Sequence, residues 1–124
     1  MDNLILEKTK QTPEIVCNYE LGRISVVGRS LPENVKEAYS TLNKWVTEYT
    51  KTPKDDTIID FDVECVNSSS NRFFFSVLKS MEDLKQSGKS VTVNWYYDED
   101  DDDILNLGND YSGILQVKFN IIKK

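Results

Sequence analysis

Between Thr57 and Val66 the chain alternates without a break. Ile59, Phe61, Val63 and Cys65 fall on one side, and Asp60, Asp62 and Glu64 on the other. Only an extended strand, whose side chains have a period of two, buries one set and wets the other. A polar knot follows, Asn67-Ser68-Ser69-Ser70-Asn71-Arg72. Phe74, Val77, Leu78, Met81 and Leu84 then recur at helical spacing, and Gly88 sits where a helix C-cap glycine belongs. Ser90–Tyr97 alternates again, with Val91, Val93, Trp95 and Tyr97 on one side. A strand–helix–strand unit of this kind implies a right-handed crossover and parallel pairing. The middle of the chain is therefore committed to an α/β arrangement.

The flanks extend that arrangement. Ile15–Glu20 and Arg23–Val27 read as two strands joined at Leu21-Gly22, a hairpin with a two-residue turn. Residues 4–6 add a short strand. Ser30-Leu31-Pro32-Glu33 reads as a capping box with proline in the first turn. Val35, Ala38, Tyr39, Leu42, Trp45, Val46 and Tyr49 then keep to one face, which predicts a helix over 31–50, ended by Thr52-Pro53. Further helices are expected near 69–86 and 100–110, the last centred on 103–108, and a final strand over Ile114–Ile122. The fold class is α/β: one domain over 1–124, with a mixed sheet, an N-terminal hairpin, β-α-β units and helices mainly on one face.

Composition narrows the function. There is no histidine, which removes Ser-His-Asp and Cys-His catalysis and most catalytic zinc sites. Cys17 and Cys65 are far apart and form no C-x-x-C, so a reduced thiol pair is expected rather than a disulfide or a zinc site. Both lie on apolar strand faces, which favours buried, inert thiols. No apolar run approaches the roughly 20 residues of a bilayer span, and Met1-Asp2-Asn3 lacks the basic start of a signal peptide. The expectation is an intracellular, cytoplasmic protein. Net charge is −6, and the run Asp98-Glu99-Asp100-Asp101-Asp102-Asp103 supplies six of the 21 acids, leaving the rest of the chain neutral. With no basic patch, nucleic acid and anionic membranes are not expected as partners.

Two segments could carry chemistry. Asn67-Ser68-Ser69-Ser70 stands at a strand end before an amphipathic helix. Capping needs only one such residue. A phosphate-related role also fits, since this edge of an α/β sheet binds ligands and a helix N-terminus favours anions. Both readings stay open on these residues alone. The acidic run invites a Ca²⁺ reading, but counting from Asp98 the sixth position holds Asp103 and the twelfth Asn109, where an EF-hand loop needs glycine and glutamate. A solvated turn whose acids favour the next helix start explains the run better, so no metal and no cofactor are expected. Asp98 and Asp100, with Tyr96 at a strand end, remain candidates for a partner-facing surface.

Segments almost end to end resemble one family: Thr12-Pro13-Glu14-Ile15, Gly28-Arg29-Ser30-Leu31-Pro32-Glu33-Asn34, the Trp45 helix, Asn67-Ser68-Ser69-Ser70, Val91-Thr92-Val93-Asn94-Trp95-Tyr96-Tyr97, the acidic run and Gly108-Asn109-Asp110-Tyr111. The chain is similar to the SiaC-type regulatory phosphoproteins. That resemblance implies a fold like the STAS domain of anti-anti-sigma factors. It also implies a switch. A hydroxyl in an Asn-Thr-Ser-Ser motif is phosphorylated by a dedicated kinase and cleared by a PP2C-like phosphatase, and the unphosphorylated form binds and activates a diguanylate cyclase. Ser68 holds the acceptor position, with Ser in place of Thr, and Ser69 and Ser70 are lesser candidates. Asn67, Ser69 and Ser70 support the motif and the helix start. Arg72, where the family commonly has Lys, joins Tyr96, Asp98 and Asp100 as partner-interface candidates. The chain is thus expected to be a non-enzymatic partner switch. The alternatives are a small carboxylate- or metal-dependent enzyme, using Asp60, Asp62, Glu64 or the 98–103 acids, and a constitutive scaffold subunit.

Overall fold

The computed structural model describes residues Met1–Lys124. Nine elements follow one another: β1 (Leu4–Leu6), β2 (Glu14–Asn18), β3 (Arg23–Ser30), α1 (Val35–Lys51), β4 (Asp56–Val66), α2 (Ser68–Gln86), β5 (Ser90–Tyr97), α3 (Asp102–Ile114) and β6 (Lys118–Lys123). The six strands form one sheet in the order β1-β2-β3-β4-β5-β6. The first three are antiparallel, and β3 to β6 are parallel. Sequence order equals spatial order, so the sheet never doubles back. Each right-handed crossover then lays its helix on the same side, and the result is a two-layer α/β fold with a mixed sheet.

The alternation read in the sequence sets the two faces. Ile24, Val26, Ile59, Phe61, Val63, Val91, Val93 and Trp95 turn inward and meet Tyr39, Leu42, Trp45, Tyr49, Phe74, Leu78 and Met81 in one core. Burying an aliphatic or aromatic side chain of this size contributes about 1.5–3 kcal/mol. On the other face, Ser25, Asp60, Asn94 and Asn120 stand side by side in register. The Arg23 guanidinium donates to Asp60 (2.8 Å), Asn94 donates to Asp60 (2.9 Å), and Asn120 donates to Asn94 (3.0 Å). This ladder satisfies the open face without a covering layer.

Three boundaries depart from the sequence reading. The β2–β3 connection is the four-residue segment Tyr19–Gly22, not a two-residue turn. Leu21 is exposed, and Gly22 takes φ +60°, where a Cβ would lie 2.4 Å from the Asp56 carbonyl. Ser30 does not cap α1. The inward alternation of β3 runs on to Ser30, which is buried and pairs with Val66 after a one-residue register shift between Gly28 and Ser30. The cap is Asn34, whose Oδ1 accepts from the Glu37 amide at 3.2 Å. Finally, α3 continues to Ile114, so β6 starts at Lys118 rather than at Ile114. Gly108 sits within α3 against Trp95, where any side chain would collide with the indole.

Candidate functional site

The polar knot is the first turn of α2. Strand β4 ends at Val66, and Asn67 breaks the extended run with φ −82° and ψ 171° to become the N-cap. Its Oδ1 accepts from the Ser70 amide (2.9 Å) and from the Ser69 hydroxyl (3.2 Å). Its Nδ2 donates to the Pro32 carbonyl (3.0 Å), and its own amide donates to the Ser30 carbonyl (3.0 Å). One asparagine therefore caps the helix and fastens it to the β3–α1 connection. The capping half of the sequence reading belongs to Asn67, which leaves the serines to be explained separately.

The three serines have different surroundings. Ser70 is fully buried. Its Oγ donates to the Ser30 carbonyl (3.1 Å) and accepts from Ser30 Oγ (2.7 Å). The Ser30 hydroxyl bonds in turn with the buried Tyr39 hydroxyl. Because Ser30 spends its proton on Ser70, Tyr39 is the donor in that bond. Burial pushes the Tyr39 phenol up, against the opposing pull of the Ser30 and Ser70 hydrogen bonds, so it keeps that proton. Ser69 is half-buried and bonded to the cap. Ser68 is exposed, and its hydroxyl makes no hydrogen bond. Sequence reasoning missed the Tyr39–Ser30–Ser70 relay, although the period-two pattern of β3, carried three residues past Val27, places Ser30 inward.

The electrostatics favour an anion at this end. The first turn of α2 carries no acidic residue, whereas α1 has Glu37 and α3 has Asp102 and Asp103 there. The partial positive charge of the helix start is thus uncompensated only in α2. Arg72 is exposed one turn further on and enters none of the ion pairs. The unreversed strand order also removes the crevice that a doubled-back sheet opens at its carboxyl edge. A cavity of about 430 Å³ does open at this edge beside the end of β4, lined by Leu31, Cys65, Val66 and Ile104.

The other candidates lie elsewhere. Tyr96 follows inward-facing Trp95 and so turns to the open face of the sheet, away from Arg72 in the helical layer. Asp98 and Asp100 are exposed in the β5–α3 connection, where Asp98 lies 3.7 Å from Lys124. Asp101 caps α3 by accepting from the Ile104 amide at 3.0 Å, and Asp102 and Asp103 fill its first turn, as the solvated-turn reading has it. The carboxylates of the enzyme alternative are not drawn together. Asp60 is held by Arg23 and Asn94, Asp62 by Lys124 at 2.7 Å, and Glu64 is exposed. No three Cys, Asp or Glu side chains are grouped to hold a metal ion. Cys17 is buried, with its thiol pushed up to about 12 by desolvation. Cys65 is only half-buried, contrary to the expectation of two buried thiols, because β4 outruns the core at its end.

Known proteins share this architecture. A structure of SiaC from Pseudomonas aeruginosa superposes with a TM-score of 0.92 over 100% of both chains at 26% identity. The SiaC chain in the crystal structure of the diguanylate cyclase SiaD in complex with its activator SiaC, also from Pseudomonas aeruginosa, gives 0.91 at 25% identity, covering 98% of this chain and 99% of that one. An uncharacterised protein of Pseudomonas aeruginosa strain UCBPP-PA14 is 27% identical over 111 residues, 90% of this chain and 88% of the relative. The model of the SiaC family of regulatory phosphoproteins matches residues 6–124, first turn of α2 included, and to that family the chain belongs.

Proposed function

We propose that this chain is a non-enzymatic, cytoplasmic signalling protein that works as a single unit over 1–124. Its switch is the Ser68 hydroxyl, phosphorylated by a cognate Ser/Thr kinase and cleared by a PP2C-like phosphatase. One phosphorylation state binds a downstream effector of the diguanylate cyclase class. The effector class is supported by the relative SiaC, which is the activator of the diguanylate cyclase SiaD and forms a complex with it. The family description, regulatory phosphoprotein, supports the modification. The observation that carries the choice of residue is the contrast among the serines. Ser70 is locked in a buried relay and Ser69 is tied to the cap, while Ser68 is exposed and unbonded on an acid-free helix start.

Phosphorylation adds a charge of about −1.5 to −2 and three strong acceptor oxygens. At the first helical position that charge meets the positive end of α2, with Arg72 four residues along on the same helix face. The modified helix keeps its fold and changes its surface. The test is phosphopeptide mapping after incubation with the cognate kinase. Label on Ser68 that disappears in Ser68→Ala is the expected result. Label on Ser69 or Ser70 in that variant would move the site.

A further inference from the structure

Asn67 is held on both edges of its side-chain amide. The Nδ2 edge donates to the Pro32 carbonyl at 3.0 Å, and the Asn67 backbone amide donates to the Ser30 carbonyl at 3.0 Å. A carbonyl only accepts, so Nδ2 must face Pro32 and Oδ1 must face the helix turn. The orientation of this side chain is therefore set from outside α2. Oδ1 has two acceptor positions, and both are used, by the Ser70 amide at 2.9 Å and by the Ser69 hydroxyl at 3.2 Å. The bond to the Ser70 amide is all that an N-cap requires. The bond from Ser69 satisfies no backbone group, and its effect falls on the Ser69 hydroxyl itself. Ser69 is half-buried, whereas Ser68 beside it is exposed and unbonded.

We propose that Asn67 determines which serine accepts the phosphoryl group: by engaging the Ser69 hydroxyl it directs transfer to Ser68. The assignment rests on the phosphorylation reading above and adds the residue that sets its site. In the transfer, the Ser68 oxygen forms a bond to the γ-phosphorus of a nucleoside triphosphate. The bond from that phosphorus to the β,γ-bridging oxygen breaks, the nucleoside diphosphate leaves, and the hydroxyl proton passes to a base of the kinase. An acceptor must therefore offer its lone pair to the phosphorus and its proton to that base together. Ser68 does so by rotation about its Cα–Cβ bond. Ser69 has its proton directed to Oδ1 and must break that bond and turn outward first. Ser70 is removed independently, by burial and by its bonds with Ser30. Asn67 is thus a positioning residue, acting through Ser69 rather than on the reacting atoms.

The experiment is phosphopeptide mapping of full-length wild type, Asn67→Gly and Asn67→Asp after incubation with the cognate kinase and ATP. The quantity read is the ratio of label on Ser69 to label on Ser68, which a general loss of rate does not move. Glycine is tolerated at N-caps and removes Oδ1, while aspartate keeps acceptors for both the Ser69 hydroxyl and the Ser70 amide. Circular dichroism checks the fold of each variant. The expected result is a ratio at least threefold higher in Asn67→Gly than in wild type, and unchanged in Asn67→Asp. An unchanged ratio in Asn67→Gly overturns the role of Asn67 and leaves the Ser68 reading standing. An equal rise in Asn67→Asp also overturns that role, because it traces the change to the lost Pro32 bond rather than to the Oδ1 acceptor. Wild-type label chiefly on Ser69 or Ser70, or no label at all, overturns the phosphorylation reading, and the assignment to Asn67 falls with it.

Discussion

Ser68, Ser69 and Ser70 are chemically identical and adjacent, yet removing each hydroxyl has a different consequence. Ser68→Ala deletes an exposed group with no partner, so its stability should lie within about 0.5 kcal/mol of wild type. Ser70→Ala breaks the bond with the buried Ser30 hydroxyl and should cost about 1–3 kcal/mol. Urea denaturation of the two variants checks the contrast, and a Ser68→Ala cost as large as that of Ser70→Ala would contradict the surroundings described for Ser68. The cysteines divide in the same way. Cys17 is buried with its thiol pushed up to about 12, while Cys65 is half-buried beside the cleft formed with Leu31 and Ile104. Iodoacetamide at pH 8 on the folded protein should therefore label Cys65 and spare Cys17 until denaturant is added.

Among the elements, α2 shows how a modification can act without remodelling the fold. Its start is held by Asn67 through four hydrogen bonds and lacks an acid of its own. A phosphate at Ser68 supplies the missing negative charge and should stabilise the folded state by about 0.3–1 kcal/mol. A raised melting temperature and slower amide exchange in 70–74 of the phosphorylated protein would show this, whereas faster exchange would mean that the helix start melts. Elements also differ in how far the sequence discloses them. Strands β4 and β5 are legible because half-buried strands must alternate. The start of α1 is misread because Ser30 fits a capping box locally, while the deciding fact is nonlocal, its burial against Tyr39 and Ser70. The knot at 67–70 is legible as a helix start, but the separate surroundings of its serines depend on β3, 40 residues away in sequence. The length of α3 is hidden for a similar reason. Gly108 is a close-packing position, where an added Cβ would lie 2.3 Å from Trp95 Cδ1. Gly108→Ala should accordingly cost about 1–3 kcal/mol by forcing α3 off the sheet, even though alanine is the better helix former, and thermal denaturation measures the sign.

For the whole molecule, the unreversed sheet leaves each helix fixed to the sheet on one side only, so the last crossover must be secured from within the helical layer. Glu82 does this. It is a nearly buried carboxylate on α2; its Oε1 accepts from Lys79 at 2.7 Å, and its Oε2 accepts from the Gln116 amide, also at 2.7 Å, in the segment that links α3 to β6. The hydrogen bond from Lys79, then that from the Gln116 amide, hold the carboxyl below its ordinary value of 4.5, outweighing desolvation. A carboxylate whose pKa is lower folded than unfolded stabilises the fold fully above the unfolded pKa, and that contribution disappears as pH falls through the folded value. The clamp should thus be intact at neutral pH and weaken as acid takes the protein below about pH 4.5. Gln at this position keeps an acceptor for the Gln116 amide but carries no charge for Lys79 and has no proton to gain. The expected outcome for Glu82→Gln is lower stability than wild type at pH 7 and a difference that narrows as the pH is lowered toward 3. Denaturation midpoints collected across that range decide the matter, and a gap between the two proteins that stays constant from pH 7 to pH 3 would mean that the charge on Glu82 does not hold the last crossover in place.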